Sequence, residues 1–343
     1  MDKVFAKFFK NKVILVTGGT GSIGSEIVRS LLKFPVKQIR ILSRDEYKQF
    51  LLEQEFKHLP IGRVTFLIGD IRDRNRMFLA MEGVDIVFNA AAMKHVPLCE
   101  YNPFEAVKTN VLGTQNLVDA CRASNVANFI HVSTDKAAMP INVMGATKLL
   151  AEKIALSAEH YRGPHKTIFC AVRFGNVFGS RGSAAPLFYE QIKKGGPVTL
   201  TDQDMTRFMM KIPQAAMLML KAAVLSKGED LFILKMPVMR MEDFVRAMIE
   251  ILAPKVGYTP SDIKVKIVGK REGEKKYELL MSEEEAEDVY ENDEMFYLSK
   301  TPIAGFRRSD FKHYRSDKID PMKYREVVGF LKNVLKEERY IQR

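Results

Sequence analysis

The stretch KVILVTGGTGSIGSE, Lys12 to Glu26, decides the fold. Lys12–Thr17 is an apolar, β-branched run of one buried strand's length, and an amphipathic helix follows to Phe34. Between them Gly18, Gly21 and Gly24 fall at GxxGxxG spacing. Glycine at such points permits a tight turn and lets backbone N–H groups approach a pyrophosphate at the helix N-terminus. A glycine triplet alone is weak evidence. Set between a strand and a helix near the N-terminus, it reads as a dinucleotide fingerprint. Gly18, Thr20, Gly21, Ser22, Ile23 and Gly24 are therefore expected to line a cofactor's phosphates.

The same strand–helix unit repeats outward from this stretch. Gln38–Leu42 ends in Ser43, Arg44 and Asp45. An acidic residue at that strand end selects NAD through the ribose 2′-hydroxyl. A small residue followed by arginine instead leaves room for a 2′-phosphate and neutralises it. NADP is the expected cofactor, with NAD the alternative because Asp45 and Glu46 sit alongside; Arg44 could also be a surface charge at a helix start. Val64–Leu67 ends in Gly69, Asp70 and Ile71, placed for an adenine, though Asp70 would equally serve as a helix cap. Asp85–Phe88 leads into Asn89 and the small residues Ala90, Ala91 and Ala92, which let the backbone pass close under a cofactor. Lys94 and His95 follow, towards the nicotinamide side, where Lys94 suits a phosphate or sugar and His95 alone is more often structural. A helix near Pro103, a strand at Phe129–Val132 and another at Thr167–Val172 continue the alternation. The fold class expected is α/β: a Rossmann-like, right-handed doubly wound parallel sheet with a smaller C-terminal α/β substrate-binding region. The expected boundaries are 1–175 for the dinucleotide domain, 176–300 for a mainly substrate-binding region with segments returning to the core, and 301–343 for a basic extension.

Composition narrows the partners. The chain has 343 residues, 46% hydrophobic and 28% charged, which is ordinary for a globular protein large enough for a sizeable core. No apolar run approaches the roughly 18 residues of a membrane span, and the N-terminus shows no cleavable signal pattern, so a cytoplasmic protein is expected. Cys99, Cys121 and Cys170 form no paired spacing, and the six histidines form no metal motif; buried thiols and no metal site are expected. Of the net charge of +11, the 12 basic and 6 acidic residues from Lys300 to Arg343 supply +6. With no recognition motif beside it, this excess suits an anionic substrate or an acidic membrane surface better than nucleic acid. Val4, Phe5, Phe8 and Phe9 share one side of a short N-terminal helix, which either packs on the body or touches a membrane peripherally.

The chemistry concentrates in Ser133–Lys148, STDKAAMPINVMGATK. Thr134, Asp135 and Lys136 place a hydroxyl, a carboxylate and an amine on consecutive residues after a buried strand, and Lys148 lies twelve positions on. Open α/β sheets bind ligands at such strand ends, and these are proton-handling groups. By itself the cluster could also be a polar turn with a helix cap. Further along, Asn176, Arg181 and Arg207 are candidate anion or sugar contacts, and a partly buried Arg207 needs either a phosphate or an internal carboxylate. The acidic run 282–294 reads as a solvated connector, and Lys323–Leu335 as a packing helix.

In order and spacing, TGGTGSIG, GDIRD, NAAA and Lys148 resemble the extended short-chain dehydrogenase/reductase superfamily. More narrowly, MKHVP, NPFEAVKTNVLGT, STDKA, NVMGATK, RFGNVFGSRGS, MTRF and REGEK resemble the UDP-N-acetylglucosamine 4,6-dehydratases of polysaccharide and glycan biosynthesis, over roughly Val13–Leu298. The resemblance implies a hydro-lyase acting on a UDP-sugar, and a homo-oligomer, dimeric or larger. It implies that Lys136 is the base at C5, Asp135 the acid at C6, Thr134 a hydrogen bond to the C4 oxygen, and Lys148 a contact to the nicotinamide ribose. It also implies that Asn176, Arg181, Arg207, Arg271 and Glu274 contact the sugar nucleotide, with Lys94 and His95 nearby. A lysine base works near neutrality only if its pKa falls, through burial or the neighbouring cofactor charge. One position departs from the superfamily pattern: Met144 stands where a tyrosine is usual, which leaves the C4 hydroxyl proton to another group. The alternatives are a UDP-sugar 4-epimerase, which needs no base at C5, and a non-catalytic dinucleotide-binding protein.

Overall fold

In the computed structural model, residues 2–269, 273–299 and 302–336 are described. Six parallel strands carry the N-terminal half: β1 (Val13–Thr17), β2 (Gln38–Ser43), β3 (Val64–Ile68), β4 (Ile86–Asn89), β5 (Asn128–Val132) and β6 (Ile168–Arg173). They lie in the order β3-β2-β1-β4-β5-β6, so the chain direction across the sheet reverses between β1 and β4. That crevice is where open α/β sheets hold ligands. The sheet is doubly covered, and the strand sequences say why. Ile14 and Val16 of β1 face one apolar cluster while Val13 and Leu15 face the other; Ile86 and Phe88 oppose Val87 in the same way. A strand buried on both faces must be apolar throughout, as β1 is.

Beyond β6 the sheet gains the parallel strand Asp230–Leu234 and then the antiparallel strand Met295–Leu298. Val289–Glu291 and Arg307–Arg308 complete ten strands among the described residues. The acidic run is therefore not simply solvated. Its Val289–Glu291 portion is a sheet strand, and Glu285 is held by an arginine, because burial of the adjoining backbone needs both ladder and charge satisfied. The helix Ile212–Leu225 packs back against α2 (Ser22–Leu31), so the second half of the chain braces the glycine-loop helix. At the N-terminus α1 (Asp2–Phe9) lies on the body: Phe5 and Phe9 are buried, with ring centroids 5.6 and 5.8 Å from that of Phe34. The helix Tyr324–Leu335 buries Val327, Leu331 and Leu335 against Met241–Leu252. From Pro103 the helix is not uniform: it widens to a π-helical turn over Val107–Leu112 before returning to α-helix at Gly113. Among the described residues no helix is long and apolar enough to cross a membrane, and no cluster of metal-ligating side chains forms.

Arg173, at the end of β6, is fully buried. It donates to both carboxylate oxygens of Glu152 (2.8 and 2.6 Å), to both of Glu285 (2.7 Å each), and to the Leu280 carbonyl at 3.2 Å. Burial opposes its charge, but the two carboxylates hold its pKa above the ordinary arginine value. Removing one member of such a set strands the others in low dielectric. Arg173→Ala should lower the unfolding free energy by about 3–5 kcal/mol in urea titration, and Glu285→Gln, which keeps an acceptor, by clearly less.

Candidate active site

The glycine loop is shaped by contacts that leave no room for side chains. A Cβ on Gly18, whose φ is +62°, would meet Ala90 O and Ala91 N at 2.7 Å, and one on Gly24 would meet Gly18 O at 2.4 Å. The loop thus lies flat on the Ala90–Ala91 turn, which is what small residues there were expected to allow. Gly21 stands at the N-cap of α2 with no side chain capping it, so the helix N-terminus faces the loop with its positive dipole end. Ser22 and Gly24 are buried in the first turn, with Thr20 and Ile23 partly so. This is a cradle of backbone donors, and it fits a dinucleotide pyrophosphate. Arg181 also comes here: its N–H donates to Ser22 Oγ at 3.1 Å and its guanidinium to the Thr20 carbonyl. Arg181 therefore sits against the glycine loop.

At the end of β2, Ser43 is buried and accepts from Gln49 Nε2 at 3.1 Å through both its carbonyl and its hydroxyl. Asp45 is the N-cap of the helix Glu46–Phe56: it accepts from the Lys48 N–H at 2.9 Å and pairs with the Lys48 amine, contacts that lower its pKa. Its carboxylate is thereby engaged in capping. Arg44 Nη1 lies 3.6 Å from Asp70 Oδ2, its side chain 58% exposed. Asp70 also binds Arg72, at 2.6 Å, and Ile71 is buried beside Gly113.

The 133–148 segment builds the second wall. Thr134 caps a single 3-10 turn, Asp135–Ala137, that starts directly after β5. Asp135 is buried; it accepts from Thr134 Oγ1 at 2.8 Å and from Lys136 Nζ at 3.1 and 2.9 Å. Lys136 and Asp135 line a cavity of about 480 Å³ together with Asn176, Arg207, Glu274 and Glu278. The turn bearing Glu274 closes over this loop: Lys275 Nζ donates to the Ala138 carbonyl at 3.0 Å, and Asn142 Nδ2 to Gly273 O at 2.9 Å. Arg207 lies 3.6 Å from Glu274 and 3.3 Å from Glu278. Of the two anions its burial called for, the internal carboxylate is present. Lys94 and His95 follow β4 as exposed residues outside the cavity lining; partial burial of the amine first, and then Lys136 and Arg181, lower the Lys94 pKa. The His95 ring lies against Gly182, where a Cβ would meet it at 2.1 Å. Arg271 lies outside the described residues.

Three features were not read from the sequence. The first is Glu278, buried at 4% exposure, accepting from Asn176 Nδ2 at 2.6 Å and Phe208 N at 2.9 Å, with Lys136 Nζ at 3.8 Å. Burial pushes it up to about 7, with the Asp135 charge adding to the effect. No spacing rule marks it. The second is the charge state of Lys136. Burial alone would depress it, but Asp135 and Glu278 outweigh burial and raise its pKa. The third is His131, whose signal was a lone polar residue inside a buried strand. Its Nε2 is 3.1 Å from Lys148 Nζ and its Nδ1 is 3.1 Å from Asn89 Nδ2, while Asn89 Oδ1 accepts from Thr17 Oγ1 at 2.7 Å. Burial, then the Lys148 charge, holds the ring neutral, far below the ordinary histidine value. Lys148 also donates to the Val132 carbonyl at 2.5 Å, and burial lowers its pKa to about 8. Met144 is 4% exposed and packs with Cys99 and Ala106, away from the cavity lining.

The polysaccharide biosynthesis protein family matches residues 14–300. A Methanocaldococcus jannaschii protein described as an uncharacterized membrane protein is 53% identical over 99% of this chain and 100% of its own length. A Rickettsia typhi protein named UDP-glucose 4-epimerase is 40% identical over 87% of this chain and 84% of its own. Among solved structures, Pen from Bacillus thuringiensis superposes with a TM-score of 0.91 at 44% identity, covering 96% of this chain and 99% of that one.

The Lys148 shift fixes a stability trend. Its pKa falls from 10.5 unfolded to about 8 folded, so between those values the unfolded chain binds the extra proton and stability rises with pH. Relative to Lys148→Met, the wild type should gain on the order of 3 kcal/mol of unfolding free energy across that window. Denaturant titrations of both proteins at stepped pH would read it, and parallel curves would refute it.

Proposed function

The chain belongs to the polysaccharide biosynthesis protein family, and from that premise we propose that it is a cytoplasmic UDP-N-acetylglucosamine 4,6-dehydratase using NADP. One observation carries this reading: Asp135 and Lys136 line the wall of one cavity with Asn176, Arg207 and Glu274, the Lys136 amine held against Asp135 at 2.9 Å and the Thr134 hydroxyl donating to Asp135 at 2.8 Å. A base poised beside an acid is what elimination across C5 and C6 requires and what simple epimerisation at C4 does not. A nicotinamide dinucleotide held by the Gly18–Gly24 loop and Lys148 would supply the hydride chemistry at C4 and C6. The side chains do the rest. Thr134 holds the C4 oxygen. With Met144 unable to exchange a proton, Asp135 takes the C4 hydroxyl proton through Thr134 and delivers it to the departing C6 hydroxyl, which leaves as water. Lys136 removes the C5 proton and gives it back after hydride returns. The product is a UDP-4-keto-6-deoxy-N-acetylhexosamine, a precursor for surface polysaccharide or glycan.

Cofactor choice rests on the end of β2. Asp45 is engaged in capping, and Arg44 is exposed beside the small Ser43, an arrangement that favours a 2′-phosphate over a free 2′-hydroxyl. The exposed Leu98, Tyr101, Phe104, Leu112 and Leu150 lie on helical segments that touch one another, which supports a homo-oligomer through that face. The second reading is a UDP-sugar 4-epimerase, favoured by the activity named for the Rickettsia relative.

Incubation with UDP-N-acetylglucosamine and NADP, followed by mass spectrometry, separates these. Loss of one water is expected; an isobaric product would establish the epimerase instead. Lys136→Ala should reduce water loss by at least about 10²-fold with cofactor affinity nearly intact. By calorimetry, Arg44→Ala should weaken NADP by about 10-fold or more and leave NAD binding unchanged.

A further inference from the structure

The dehydratase reading needs Lys136 as a free amine, yet the structure surrounds it with carboxylates that favour the ammonium. Asp135 cannot relieve this, because in that reading it already carries the C4 hydroxyl proton to C6. Among the described residues the remaining acceptor within reach is Glu278. Its Oε1 lies 3.8 Å from Lys136 Nζ, while its Oε2 is occupied by the Phe208 N–H at 2.9 Å. Oε1 accepts one hydrogen bond, from Asn176 at 2.6 Å, and is shared between the Arg207 guanidinium, at 3.3 Å, and the Lys136 amine. The backbone is fixed as well: the Glu278 N–H donates to Ser316 Oγ at 2.9 Å, and the Ser316 hydroxyl bridges to Thr206 Oγ1 at 2.8 Å. Glu278 is thus a buried carboxylate held rigidly at the cavity wall, where an ordinary structural ion pair would suffice for Arg207 alone.

We propose that Glu278 is the proton partner of Lys136: it takes the ammonium proton and leaves the amine that abstracts the C5 proton. The step is balanced within the pair. The N–H bond of Lys136 breaks, an O–H bond forms on Glu278 Oε1, and two opposite charges become two neutral groups. The freed amine then accepts the C5 proton as the C5–H electron pair moves towards C6. On reprotonation at C5, Lys136 becomes the amine again and recovers its original proton from Glu278. No outside acid or base is consumed. The groups facing Glu278 set how readily it protonates. Burial and the Asp135 carboxylate favour the acid form, while Arg207, Lys136 and Lys275 oppose it. Glu278 acts through Lys136, so it is a positioning and proton-holding residue.

This inference rests on the dehydratase reading for its role, but its test separates the two. In wild type the proton moves inside the pair, so the rate of water loss should be flat with pH once Glu278 is ionised. In Glu278→Gln, Lys136 must lose its proton to solvent. Its kcat should fall at least tenfold at pH 7, then climb about tenfold per pH unit towards wild type, with KM for UDP-N-acetylglucosamine within a few-fold. A pH profile parallel to wild type would overturn the proposal. Glu278→Asp, which keeps the acid, should retain the flat profile at reduced kcat, and it covers the case in which Glu278→Gln fails to fold. If wild type shows no water loss at all, the dehydratase reading fails, and proton sharing is read directly. In NADP-bound protein carrying ¹³C-labelled glutamate, Lys136→Met should move the Glu278 carboxyl titration upward by at least one pH unit. An unmoved titration would refute the pairing whatever the substrate.

Discussion

Arg173 is the contact on which the site depends. One guanidinium joins the end of β6, the helix that carries Lys148, and the segment that follows Glu278, through Glu152, Glu285 and the Leu280 carbonyl. These three pieces lie far apart in the chain, and each places one wall of the site. A buried arginine with two buried carboxylates is a costly arrangement that contributes little net stability over an apolar core. What it does provide is a single allowed geometry, since a shift of any partner leaves a charge unsatisfied.

The site built on that clamp is electrostatically asymmetric. At the glycine loop, backbone donors, the α2 dipole and Arg181 supply positive potential. In the cavity, Asp135, Glu274 and Glu278 interleave with Lys136, Arg207 and Lys275, so that most charges have a partner within reach. A cavity lined by paired opposite charges can move protons over short distances at little cost, because each transfer exchanges an ion pair for two neutral groups. The Thr17–Asn89–His131–Lys148 chain holds the remaining amine in place from below, and it spans β1, β4 and β5.

Much of this was legible in local patterns. Short, mostly apolar runs gave β1 to β6 to within about a residue, because a central strand buried on both faces, as β1 is, has no alternative composition. Gly18 and Gly24 were legible for the same kind of reason: the Ala90 turn and the loop's own backbone exclude a Cβ. Asp45 and Asp70 illustrate the limit. Asp45 looked suited to a ribose and Asp70 to an adenine or a cap, and only the folded positions of Lys48 and Arg72 show what holds each carboxylate. The acidic run 282–294 was misread as solvated because charge density signals exposure unless a distant arginine is buried opposite it.

By itself, then, the sequence determined the doubly wound sheet, the glycine cradle, the position of Thr134, Asp135 and Lys136 at a strand end, and the absence of a proton donor at Met144. These follow from nearest-neighbour chemistry along the chain. Only the tertiary structure decided which charges meet. It brought Glu278 to Lys136 across 142 residues of sequence, turned Arg181 onto the glycine loop, and raised the Lys136 pKa where burial alone would have lowered it. Coulomb energy depends on distance in space and on local dielectric, and neither is written in the order of residues.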